Sequence, residues 1–137
     1  MQAAAPTAKK ARGASVLDSD EQRPLWSLVI ADTGGPWCPA RMDAESVNKV
    51  VLRLKSMEGL TWTEIGQSTG SHEIGTTDLV PQAQRRLREI KQDDVDRVYS
   101  LRIEGKPRLI GIRFGNVFRV LWWDPEHAIC RSTKKHT

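Results

Sequence analysis

Four arginines fall inside apolar and β-branched runs near the end of the chain: Arg102, Arg108, Arg113 and Arg119. A guanidinium is planar, permanently charged and matched to the paired oxygens of a phosphate. Trp123 follows, and an indole can stack a base. His127 comes four residues later, and imidazole titrates near neutrality, so it can give or take a proton. Together an Arg, an indole and an imidazole could cleave RNA by promoting attack of a 2′-hydroxyl on its phosphate. Arg108 would hold the phosphate and stabilise the transition-state charge, and His127 would be the acid or the base. Arg102, Arg113, Arg119, Arg131, Lys134 and Lys135 would add the electrostatic footprint, with Trp123 as the stacking ring. The plainer alternative is a tryptophan packed under an arginine stem, with His127 merely exposed.

These residues need a sheet to position them. Tyr99 to Arg131 reads as consecutive antiparallel strands, cut by Gly105-Lys106-Pro107, by Gly115-Asn116 and by Asp124-Pro125-Glu126. A two-residue hairpin at Gly115-Asn116 pairs Phe114 with Val117, Ile112 with Arg119, Ile110 with Leu121 and Arg108 with Trp123. Alternation then puts Arg108, Arg119 and Trp123 on one face, with Arg113, Phe118 and Trp122 on the other. His127 comes round at the end of the hairpin away from its turn.

The elements before the sheet read as helices. Asp43 caps a helix to Met57 whose apolar stripe is Val47, Val50, Val51, Leu54 and Met57, with Gly59 as the stop. Thr61 and Glu64 fit a capping box opening a short helix that ends before Gly70. Pro81 suits a first helical position; Ala83, Leu87 and Ile90 would face inward and Arg85, Arg86 and Arg88 outward. Trp26–Ala31 is a short strand candidate ending at Gly34-Gly35, which lacks the Lys of a phosphate loop and reads as a turn. Asp93, Asp94 and Asp96 make an acidic link without ordered ligand spacing.

The bulk numbers bound the class. At 137 residues, 28% charged and 39% hydrophobic, the chain suits one soluble domain with a real core. No apolar run spans a membrane and no h-region follows Met1, so the expected location is cytoplasmic. Residues 1–24 read as a disordered tail, and residues 25–137 as a single α+β domain with a short basic C-terminal tail. Net charge is +4, but residues 102–137 alone carry eight Lys/Arg against three acids. That asymmetry favours an anionic partner such as RNA or DNA.

The pattern of helices followed by Leu101-Arg102-Ile103, Arg108-Leu109-Ile110, a Gly-Asn turn, a Val-Phe-Arg-Val-Leu-Trp strand and His127 resembles the RelE/ParE superfamily of toxins. The resemblance covers residues 99–131 by motif and 43–131 as a pattern. It implies N-terminal helices on an antiparallel sheet of about four strands. It also implies an endoribonuclease, possible without a metal or cofactor, that cleaves mRNA on the ribosome and is held by an antitoxin. Arg108 matches the family's phosphate-contacting Arg, and His127 its basic strand end; Glu64 or His72 is the candidate base. The chain departs from the family at Cys130, which stands where some members have a terminal Tyr. ParE-like members bind gyrase without such chemistry. Gly70-Ser71-His72 also resembles HicA toxins, in which that His is catalytic, although the residues that follow do not. The competing class is a non-catalytic binder of nucleic acid or protein. A third is a zinc protein using His127, Cys130 and His136 with Cys38 or His72.

Overall fold

A computed structural model describes residues 19–130. Its backbone is a five-stranded mixed sheet with helices on both faces. The strands are β1 (Leu25–Ser27), β2 (His72–Gly75), β3 (Arg97–Arg102), β4 (Arg108–Phe114) and β5 (Val117–Asp124), in the spatial order β1-β5-β4-β3-β2. Strands β3, β4 and β5 form the expected antiparallel run, β2 adds a fourth antiparallel strand beside β3, and β1, which keeps only the start of the Trp26–Ala31 candidate, runs parallel to β5 at the edge. A three-residue strand has too short a period to announce its direction, and only long-range pairing sets it. After Ser27 the chain leaves regular pairing but still follows the β5 edge, where Asp32 N–H donates to Leu121 O and Trp123 N–H to Trp37 O.

Helix α1 (Ala44–Met57) starts where Asp43 accepts from Ser46 N–H at 2.8 Å. Helix α2 (Trp62–Ser68) opens with both halves of the Thr61–Glu64 capping box. These two cover one face, over Tyr99, Leu101, Leu109, Phe118, Val120 and Trp123. The stripe of α1 is narrower than its periodicity suggests. Val50 and Met57 are buried and Leu54 partly so, whereas Val47 and Val51 are exposed. The sheet is contacted along one line of the helix, and its shoulder stays in water.

Helix α3 (Pro81–Glu89) covers the other face, bringing Ala83 and Leu87 onto Val98, Ile110, Ile112, Leu121 and Trp122. Ile129 and Cys130 close this layer; the short final strand expected there is reduced to a single bridge between Cys130 and Leu79. Arg85 and Arg88 point outward as expected, but Arg86 does not. It turns in to Asp32, donating at 2.8 and 2.7 Å.

Within the stretch 1–24, the described residues hold specific partners. Gln22 O accepts from Trp62 N–H, Asp20 O accepts from Thr63 Oγ1, and the Asp20 carboxylate pairs with Arg113. Among the described residues no helix is long and apolar enough to cross a membrane.

Candidate nucleic-acid site at the sheet edge

The β4–β5 hairpin has the expected register from its turn as far as Gly111–Val120 and then slips by one. Ile110 pairs with Trp122, Leu109 with Trp123 and Arg108 with Asp124. Leu121 is the extra residue of a β-bulge, and its carbonyl is taken by Asp32 N–H. One slipped residue reverses every side chain beyond it. Trp122 therefore joins the α3 face, where its indole N–H donates to Asp32 at 2.9 Å, and Trp123 moves to the α1 face. Arg108 and Trp123 are thus on opposite sides of the sheet, and the expected neighbour of Arg108 is replaced by Asp124.

The strand arginines have distinct surroundings. Arg108 is 8% exposed, and its Nη1 lies 2.9–3.2 Å from the carbonyl oxygens of Glu104, Gly105, Lys106 and Pro107. Two hydrogens shared among four acceptors clamp the β3–β4 turn. Arg113 lies 4.5 Å over the Trp62 ring and pairs with Asp20 at 2.9 Å, so it holds the N-terminal residues to the sheet. Arg119 sits 5.1 Å from the Phe114 ring centroid, its Nε buried with no hydrogen-bond partner among the described residues. Arg102 is the exposed member: it has no ion pair among the described residues, and only its Nε touches Glu104 O at 3.4 Å. Trp123 is 7% exposed, packed in the core rather than offered as a stacking platform. Arg131, Lys134 and Lys135 lie outside the described residues.

His127 is placed by Asp124. The Asp124 carboxylate is 1% exposed and accepts from Ala128 N–H and Ile129 N–H, both at 2.9 Å, which folds the chain back after β5. His127 occupies the resulting turn at φ 57°. Its pKa is lowered from 6.5, first by burial and then by Arg108, with His72 and Arg102 pushing the same way and Asp124 opposing. The ring is therefore a neutral base at pH 7. Arg102, Arg108, His72 and His127 gather at the same end of the sheet. Pairing of β2 with β3 puts His72 opposite Ser100, and Arg102 lies opposite Arg108.

Ser71 of the Gly-Ser-His triplet is structural. It is 1% exposed, and its Oγ accepts from Arg102 N–H at 2.9 Å, carrying the β2–β3 ladder one step beyond the last strand pair. Ser71→Ala strands that amide and should cost about 1–2 kcal/mol in denaturant unfolding. An unchanged midpoint would show that water replaces the hydroxyl. His72 is exposed, its Nδ1 3.4 Å from Gly70 O. Glu64 is committed to its capping box on α2, away from this cluster.

Burial pushes the Cys130 thiol up to about 12, and Cys38 is buried and free. Among the described residues no three His, Cys, Asp or Glu side chains come together as a metal-ligand set, and His136 lies outside them. No protein-family model, curated protein or solved structure matches the chain.

Proposed function

We propose that the chain is a RelE-like endoribonuclease, the toxin of a toxin–antitoxin pair, acting on mRNA in the cytoplasm. The observation that carries this reading is the gathering of two imidazoles and two guanidiniums at one end of the sheet, with His127 held neutral. A neutral imidazole can take the proton from a ribose 2′-hydroxyl. The freed oxygen attacks the adjacent phosphorus, the bond to the 5′-oxygen breaks, and a 2′,3′-cyclic phosphate results. His72, entering the step as imidazolium, gives its own proton to the departing 5′-oxygen, while His127 leaves the step carrying the proton of the 2′-hydroxyl. Arg102, exposed and free of an ion pair among the described residues, contacts the phosphate oxygens. Arg108 contributes its charge from beneath and keeps the turn rigid, a positioning residue in place of the direct phosphate contact that the motif implies. The antitoxin would cover this edge, and the ribosome would present the message to it.

The reading is tested by incubating the protein with mRNA, free and on translating ribosomes, and mapping the cut ends. Cyclic-phosphate ends are expected, and His127→Ala should slow cleavage by about 10²–10⁴-fold with the fold intact by circular dichroism. Activity should fall as the pH drops through the His127 pKa, which lies below 6.5. Absence of cleavage and of growth arrest, with RNA binding that weakens steeply with salt, would favour a non-catalytic RNA binder instead.

A further inference from the structure

The loop after β1 forms two clefts that share a wall. The first, about 380 Å³, lies between Gly34-Gly35 and the outer side of α3. Arg41, Arg85 and Arg86 line it. Arg86 is neutralised by Asp32 and by Glu89, whose carboxylate also lines the cleft. Arg41 and Arg85 are exposed and have no ion pair among the described residues, so the cleft carries an unbalanced positive charge. The second cleft, about 290 Å³, is walled by Trp37, Trp123 and Pro125, with Asp43 and Ser46 at the start of α1. Pro36 and Arg41 line both. A cationic cleft suits a phosphate, and a cleft lined by a partly exposed indole and a proline, with a carboxylate beside it, suits a heterocyclic base. Pro36 and Arg41, common to both linings, set the two clefts side by side.

We infer that these joined clefts bind a nucleotide, its phosphate against Arg41 and Arg85 and its base against Trp37 and Pro125 in the second cleft. Bases differ in their exocyclic groups, and Asp43 next to the base cleft would favour one bearing an amino group. None of the residues placed in the proposed cleavage lines either cleft. A mononucleotide has no internucleotide bond to cut, so failure of the cleavage reading does not bear on this one.

The test is calorimetric titration of the full chain with AMP, GMP, CMP and UMP, with adenosine and with inorganic phosphate. At least one nucleotide should bind below about 1 mM at low salt, with adenosine and phosphate each about tenfold weaker or worse. Arg41→Ala/Arg85→Ala removes two exposed side chains and should weaken the nucleotide by about tenfold or more. Ser46→Trp fills the base cleft and should weaken the nucleotide without changing the affinity for phosphate. No binding by any nucleotide, equal binding by the double variant, or phosphate binding as tightly as the nucleotide would each overturn the proposal.

Discussion

Asp32→Ala should be the most damaging single substitution of a polar residue among those described. The Asp32 side chain is 2% exposed and serves three elements at once. It accepts from Arg86 Nε and Nη2 on α3 at 2.8 and 2.7 Å, from the Trp122 indole on β5 at 2.9 Å, and from Gly34 N–H in its own loop at 3.3 Å. Removing it leaves the fully buried Trp122 N–H without its acceptor and Arg86 with only Glu89. Breaking a buried pair from one side costs about 3–5 kcal/mol, a large part of the stability of a small domain. A fall in Tm on the order of 10 °C or more should follow, measured by calorimetry. A fall within a few degrees would mean that water or Glu89 takes over.

The same carboxylate sets an acid limb. Its pKa is lowered from 3.8, chiefly by the Arg86 hydrogen bonds and less by Trp122, against the opposing cost of burial. The folded value is thus below the unfolded one. The stabilisation is complete above the unfolded value and is lost as pH falls through it toward the folded value. In Asp32→Ala the loss of stability below about pH 4 should be shallower than in the parent.

Gly111→Ala should be the most damaging apolar substitution, because the space for one methyl group is already filled. A Cβ there would stand 2.5 Å from Phe118 Cζ and 2.7 Å from Cε2, and would also meet the carbonyl oxygen of Arg119. Phe118 cannot give way. It is fully buried and contacts Trp26, Trp62 and Tyr99 at ring-centroid separations of 6.0, 6.2 and 6.3 Å. The backbone of β5 cannot retreat without opening the ladder next to the bulge. Overpacking of this kind costs about 3 kcal/mol or more. Adding Phe118→Leu should recover part of the loss, and a double-mutant cycle measures the coupling. Strict additivity of the two would place the clash elsewhere. Gly115 makes a useful contrast: its φ is 64°, yet nothing lies within 4 Å of an added Cβ, so Gly115→Ala should cost only about 1–2 kcal/mol of backbone strain.

The legible features of the sequence were those written within one element. Asp43 and the Thr61–Glu64 pair both cap helices where their spacing places them, and Gly115-Asn116 turns the hairpin. Each depends on contacts a few residues apart. Of the candidate site, the position of His127 follows from its distance beyond β5, but its neighbours do not. The pairing of Arg108 with Trp123 assumed an unbroken ladder, and a bulge has no mark in the alternation of a strand whose residues are apolar on both faces. Leu121, Trp122 and Trp123 are all apolar, so the period-2 signal vanishes where the slip occurs.

The strand arginines show the same division. Residue type alone made the sheet basic, and charge counting located that excess in residues 102–137. What each guanidinium does was decided by partners distant in sequence. Arg113 meets Asp20 from 93 residues away, Asp32 meets Arg86 from 54 and Trp122 from 90. Such pairs exist only once the sheet has brought the chain together, and local propensity holds no record of them. By itself the sequence determined the helices, their caps, the hairpin turn and the presence of Arg102, Arg108 and His127 near one end of the strands. The tertiary structure decided that β1 joins in parallel, that Trp123 faces α1, that Arg108 is enclosed by its own turn, and that His72 and Arg102 stand with His127. The physical reason is that helix caps and turns are local hydrogen-bond problems, whereas register, side-chain enclosure and charge neighbours are set by packing across the sheet.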